Sequence, residues 1–448
     1  MTTLYSAHWV LPVSSAPIES GAIVIDGSVI AGVGTKADLL QRFPEAEVKK
    51  FGEAAIVPGL INAHTHLELT ALRGFLDNEE GDFFSWLKKL TVARLERLTP
   101  DDLRVSATWG ACEALKAGIT CVADASNSAT ESLDALRETG LRGIVYQESF
   151  GPDPKLAREN FEKLRNKVSQ LRDSQTPLAR VGVSPHAPYS VCAPQLEMIA
   201  EFTLAERLPV MMHAAESAAE EMLLREGKGS FAEGLVTRNI EWHPPALSTI
   251  SYLGRHGILQ TQPLLAHCIN VDAADLDLIA ETRTRIAHCP KSNAKLGHGR
   301  APFAEFVRRD LPVGLGSDSV ASNNTCDLLE EARFALLLAR AGSAESDLKA
   351  EDVFRSATLG GARALGLEDK IGELREGHQA DFAIISLDGM HQIPSYDPVS
   401  TLIFSSSGRD VALTVVAGRE VYRESRLPEV DEVRLLARMN EIKNGLWP

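Results

Sequence analysis

Cysteine is sparse and scattered in this chain: six residues, at positions 112, 121, 192, 268, 289 and 326, with no C-x-x-C pair. That spacing excludes a cysteine-based zinc finger and a disulfide framework, and it suits a reducing compartment. The N-terminal stretch has no basic segment followed by an apolar run and a cleavage site, and nowhere do ~18 apolar residues follow one another. The chain therefore reads as cytoplasmic, without leader or membrane span. Excess positive charge is missing too. Lys plus Arg number 46 against 61 for Asp plus Glu, a formal net charge of −15, so phosphate backbones and anionic bilayers are repelled. Neither nucleic acid nor membrane is an expected partner. Internal repeats, low-complexity tracts and flexible linkers are likewise absent.

What is present is an ordinary globular composition, 44% apolar and 24% charged, over 448 residues, enough for one large domain and a smaller one. Residues 21–34 form two β-branched runs joined by Asp26-Gly27, which predicts a type I′ hairpin. After Pro58 short apolar strands alternate with amphipathic helical stretches, the pattern of βαβ units. Eight strands are expected, at 57–64, 119–124, 143–148, 181–186, 210–214, 264–267, 285–288 and 313–316. One intervening helix shows its own boundaries: Thr99 as cap, Pro100 in the first turn, Asp101 and Asp102 against the dipole, Gly118 at the end. Near Ile371 the pattern returns to β, with apolar runs at 381–385 and 413–416. The expected architecture is α/β: a (β/α)8 TIM-like barrel over residues 56–370, with a small β-sandwich domain built from segments 1–55 and 371–448.

The chemistry gathers at strand ends. His64-Thr65-His66 follows the first strand, and a two-residue spacing turns both imidazoles to one side of an extended backbone. Alone, an H-x-H is too common to indicate metal. His186, His213, His267, His288 and Asp318 each follow a later apolar run. Any one of them is more simply a buried or surface side chain, and Asp318 a helix cap. Together they occupy the C-terminal ends that converge over the mouth of a barrel.

At these residues the chain resembles the amidohydrolase superfamily, in the branch holding S-adenosylhomocysteine, aminodeoxyfutalosine and guanine deaminases and triazine hydrolases. The motifs are Val57-Pro58-Gly59-Leu60-Ile61-Asn62-Ala63-His64-Thr65-His66, His213-Ala214-Ala215-Glu216, His288-Cys289-Pro290-Lys291-Ser292-Asn293, Gly316-Ser317-Asp318-Ser319, and Gly372-Glu373-Leu374 with Gly377 and Ala380-Asp381. The resemblance implies His64, His66, His213 and Asp318 as ligands of one divalent metal, zinc, with iron or manganese able to substitute. It implies Glu216 as the proton-transferring carboxylate, brought back to the site as the strand turns into a helix, with His267 beside the metal-bound water. Metal hydroxide would attack the amine-bearing ring carbon, Glu216 would protonate the adjacent ring nitrogen, and His267 and Asp318 would orient the hydroxide. His186, His288 and Asn293 are expected near the bound substrate. The segment 67–98, with Glu68, Arg73, Phe83, Phe84 and Trp86, is expected to cover the pocket.

The implied activity is hydrolytic deamination of a purine-type substrate, a small heteroaromatic molecule. Within the branch, His-Thr-His-Leu-Glu resembles the aminodeoxyfutalosine deaminases, and Phe84-Ser85-Trp86-Leu87 departs from the acidic residue-Trp-Leu arrangement of many S-adenosylhomocysteine deaminases. The expected substrate is 6-aminodeoxyfutalosine or a related adenine (thio)nucleoside. Other mononuclear activities stay open: guanine, 8-oxoguanine or pterin deamination, triazine dechlorination, or imidazolonepropionase-like ring opening. So does a non-catalytic metal-binding relative, although every expected ligand is present. A binuclear amidase is disfavoured because no Lys lies at the end of the fourth strand, and a cytidine-type deaminase because H-x-E with P-C-x-x-C is absent. A homodimer or larger homo-oligomer is expected.

Overall fold

Gly59 divides what the sequence presents as a single first strand. In the computed structural model, which describes residues 2–79, 81–342 and 347–446, Ala54–Pro58 pairs antiparallel with Phe382–Ser386, and Leu60–Thr65 is the first strand of the barrel. A Cβ at Gly59 would lie 1.9 Å from Thr120 Oγ1, so only glycine allows the chain to pass this closely from one sheet to the other.

The barrel continues through Ile119–Ser126, Arg142–Ser149, Ala179–Pro185, Met211–Ala214, Leu264–His267, Arg285–His288 and Val313–Leu315. The first four strands and the last four form two parallel four-stranded sheets. Bridges between Val183 and Val210 and between Thr65 and Asp318 close them into a barrel. Its interior is packed with small side chains, Ala63, Ala123, Ala125 and Ala287, around the buried Tyr146 ring. The helix Pro100–Lys116 follows its sequence signals closely. Thr99 and Asp102 form a capping box, with Pro100 in the first turn.

Two further sheets form the small β domain. One has the order Val29–Thr35, Gly21–Asp26, Thr2–Ser6, Glu47–Lys50. The other interleaves the two ends of the chain: Arg419–Arg423, Val411–Val416, Phe382–Ser386, Ala54–Pro58, Trp9–Val10, Ile18–Glu19. Tyr5, Ile23, Ile25, Ile56, Phe382, Ile384 and Leu413 fill the space between the sheets. Alternate residues Ala55, Val57, Ala383 and Ile385 turn the other way and join the main core with Leu115 and Ile119. A buried ion pair ties the two parts together: Arg142 Nε and Nη2 donate to Asp381 at 2.6 and 3.0 Å.

Two expectations need correction. The hairpin turn is Gly27-Ser28, not Asp26-Gly27, because Asp26 is taken up as the last residue of the first strand. Asp26 pairs with Val29 in the ladder, and the left-handed residue is Gly27, φ 58°. The segment after residue 371 is also not all β: Glu432–Leu446 is a helix, and its Ile442 and Leu446 join Leu72, Trp86 and Leu90 of the segment over the barrel mouth. No helix among the described residues is long and apolar enough to cross a membrane.

Candidate metal centre and active site

Each strand end delivers its side chain through a definite backbone feature. Asp318 is held by its own N–H, which donates to the His64 carbonyl at 2.9 Å. Ala215, His267, Cys268 and Asp318 all have positive φ, between 47° and 76°. Left-handed backbone at non-glycine residues is costly and tends to be kept where a site requires it. Here it turns the chain sharply at three strand ends so that the side chains point over the mouth.

The four expected ligands meet there. His64 Nε2 and His66 Nε2 lie 3.3 and 3.5 Å from Asp318 Oδ1, and His66 Nε2 is 3.2 Å from His213 Nε2. His64, His213, His267 and Asp318 offer ligand atoms all within 4.8 Å of one another. Two ligands with bonds of ~2.2 Å to one ion can be at most ~4.4 Å apart, so the cluster is close to closing on a cation. Hydrogen bonds on the far side of the rings decide which nitrogen faces inward. His213 Nδ1 donates to the His186 carbonyl at 2.9 Å, and His267 Nδ1 donates to Asn293 Oδ1 at 2.8 Å. The Nε2 lone pairs are left for the centre. His64 Nε2 and His267 Nε2 are buried without a hydrogen-bond partner. Ser292 and Ser322 hydroxyls hold Asp318 Oδ2 at 2.5 and 2.9 Å, leaving Oδ1 to the histidines.

Charge states agree with a cation. Burial pushes His66 down to about 3, and burial followed by neighbouring imidazoles holds His213 well below the ordinary histidine range. These rings are neutral near pH 7, the form that binds metal. Burial alone would raise the Asp318 carboxyl, but His64 at 3.3 Å and the other imidazoles around it hold it well below the carboxylate range. The donor set therefore fits a divalent metal, with three imidazoles and a carboxylate as in zinc sites.

Glu216 stands beside this centre. Its Oε1 is 3.6 Å from both His267 Nε2 and His298 Nε2. Burial, then the Asp318 charge, pushes its carboxyl well above the ordinary range. It does not return on a helix, as its spacing from His213 suggests. The helix begins only at Ala218, and the left-handed Ala215 makes the turn instead. Glu220 braces that turn by accepting from the Ala215 and Glu216 N–H groups at 2.8 and 3.3 Å.

The cavity next to Glu216 is walled by Leu69, Phe83, Trp86, Leu87, Leu90, Tyr189 and Leu296, with Arg94, Glu148 and His186 at its polar end. Larger surface clefts, such as the one at Phe75, Lys88 and Leu446, hold no comparable cluster. Of the residues expected around the substrate, Trp86 and His186 line the cavity, and Asn293 sits behind it orienting His267. Glu68 is buried elsewhere, accepting from Ser126 Oγ and from the N–H groups of Asn127 and Ser128. His288 stacks on Phe303 with ring centroids 4.8 Å apart. Arg73 turns away to Glu113 and the Asn324 carbonyl. Sequence reasoning missed His298, Arg94 and Glu148. His298 lies in Gly297-His298-Gly299 with no strand before it. Glu148 was marked by its place near the end of the third strand.

Against known proteins, residues 55–421 match the amidohydrolase family, and residues 21–46 match an imidazolonepropionase-like composite domain of bacteria. The chain is 31% identical, over 96% of its length and 94% of the other's, to a 5-methylthioadenosine/S-adenosylhomocysteine deaminase of Syntrophobacter fumaroxidans. It superposes on a zinc-bound adenosine deaminase of Xanthomonas campestris with a TM-score of 0.87 and 28% identity, covering 99% of this chain and 98% of that one. A zinc complex of atrazine chlorohydrolase from Arthrobacter aurescens shares the fold, with TM-score 0.85, 23% identity, and coverage of 98% of this chain and 100% of that one.

Proposed function

Because the chain belongs to the amidohydrolase family, we propose that it is a metal-dependent hydrolytic deaminase that removes the exocyclic amine of an adenine nucleoside. The observation that carries this reading is the position of Glu216, a buried, proton-holding carboxyl 3.6 Å from the His267 ring at the edge of the ligand cluster. The deaminase names of the relatives agree with it. The metal is proposed to be zinc, held by His64, His66, His213 and Asp318, with iron or manganese able to replace it. Such a cation supplies acidification of water and neutralisation of developing negative charge.

The chain's own residues would do the rest. Water adds to the amine-bearing ring carbon while Glu216 gives its proton to the neighbouring ring nitrogen and takes one from the adding oxygen in exchange. A second proton from the same oxygen leaves with ammonia, and the product is a lactam. His267, locked by Asn293, keeps a ring nitrogen facing the reacting oxygen. Phe83, Trp86, Leu87 and Tyr189 form the apolar wall against which a planar base lies and which excludes bulk water. The finer proposal is 6-aminodeoxyfutalosine or a related adenine (thio)nucleoside.

The test is ammonia release by the purified, metal-loaded protein from 6-aminodeoxyfutalosine, adenosine, S-adenosylhomocysteine, methylthioadenosine, guanine and 8-oxoguanine. Glu216→Gln serves as control. An adenine nucleoside is expected to react, and the substitution to cost ~10²–10⁴ in kcat. No ammonia from any of the six, with metal bound, overturns the purine-deaminase reading.

A further inference from the structure

Two ionisable side chains in the cavity wall take no part in the deamination step. Arg94 is 7% exposed and Glu148 4%. Arg94 Nη1 lies 3.6 Å from Glu148 Oε2 and 3.7 Å from Glu68 Oε1, too far for hydrogen bonds, and its Nε has no partner. Glu68 is already satisfied by Ser126, Asn127 and Ser128. The Glu148 carboxyl, raised to about 8 by burial, accepts no hydrogen bond among the described residues and faces the cavity beside His186 and His213. Burying a guanidinium and a carboxyl group without hydrogen bonds is unfavourable unless a ligand completes them.

The placement of Arg94 reinforces this. Phe83, Trp86, Leu87, Leu90 and Arg94 share one face of the covering segment, and the last of them sits in a π turn, Ala93–Arg97, that follows the helix Phe83–Val92. π turns are rare and occur frequently at functional sites. An arginine on an otherwise apolar, cavity-facing stripe is out of place for packing alone.

A vacant donor beside a vacant acceptor complements a group that both donates and accepts. Two hydroxyls on adjacent carbons meet both needs: one O–H donates to Glu148, and the hydroxyl lone pairs accept from Arg94. We propose that Arg94 and Glu148 together bind the vicinal diol of the substrate's sugar, so that the enzyme selects a ribonucleoside over a free base or a deoxynucleoside. This inference rests on the adenine-nucleoside reading above.

The experiment compares kcat and KM for adenosine and 2′,3′-dideoxyadenosine in the metal-loaded wild type, Arg94→Met and Glu148→Gln, with metal content measured for each. The wild type is expected to prefer adenosine by about 30-fold or more in kcat/KM. Each variant should lose at least ~10-fold more on adenosine than on the dideoxy compound, chiefly through KM, at unchanged metal content. Equal losses on both nucleosides, or a wild type that does not distinguish them, overturn the inference. If the wild type deaminates neither, the deaminase reading is what fails. The diol inference is then judged by calorimetry with inosine and 2′,3′-dideoxyinosine: tighter binding of inosine that Arg94→Met abolishes supports it, and equal binding overturns it.

Discussion

At the scale of single residues, the histidine and aspartate cluster illustrates what sequence can and cannot disclose. That His64, His66, His213 and Asp318 come together was legible because strand ends in a barrel must converge, so position along the chain already implied position in space. His298 and Arg94 were not, because each reaches the site from a segment whose direction is set by tertiary packing and by no local pattern. His288 carries a prediction at this scale. Its buried ring is held neutral, its pKa pushed down to about 3 by burial and then by His267. In the unfolded chain the same ring takes a proton near ~6.5. Its contribution to stability is therefore complete above pH ~6.5 and is lost as pH falls toward 3. His288→Phe, which keeps the stack on Phe303, should flatten the acid side of a plot of Tm against pH between 7.5 and 5 in the metal-free protein. An unchanged slope contradicts this.

At the scale of elements, the helix Pro100–Lys116 was legible to the residue because its cap, proline and acidic first turn are local signals. The split at Gly59 was not, because it depends on contact with Thr120, far along the chain. Nor was the role of the C-terminal helix, whose buried face is small. The helix packs against the segments 67–72 and 93–97 and the helix Pro100–Lys116, its Ile442 and Leu446 in one cluster with Leu72, Ala93 and Leu103, and Arg97 donates to the Leu446 carbonyl at 3.0 Å. The helix thus braces the outer side of the segment whose inner side walls the cavity. Ile442→Ala should loosen that segment and raise KM about tenfold, equivalent to ~1.4 kcal/mol, with kcat little changed. An equal fall in kcat, with KM unmoved, would contradict a bracing role.

For the whole molecule, barrel and β domain are joined by the Arg142–Asp381 pair, in which both side chains are buried and Asp381 also accepts from the Ala417 N–H at 2.8 Å. Asp381→Asn leaves the guanidinium buried without its counter-charge and should cost about 3–5 kcal/mol in denaturant unfolding. Glu221→Gln, which breaks the exposed pair with Arg225, should cost under ~1 kcal/mol. Comparable costs for the two would show that the inter-sheet pair is not what holds the parts together. The general architecture was legible in the alternation of strand and helix and in the return to β near Ile371. Which strands of the two chain ends become neighbours was not, since pairing between residues as distant as Ala54–Pro58 and Phe382–Ser386 leaves no local mark.

The central claim is that the histidine and aspartate cluster holds a metal on which deamination depends. The most direct test strips the protein with a chelator and titrates zinc back while ammonia release from an adenine nucleoside is followed. Activity should vanish on stripping and rise in proportion to added zinc until about one ion per chain is bound, with His213→Ala failing to recover. Ammonia release that survives chelation, or that His213→Ala restores as well as the wild type does, would contradict the account.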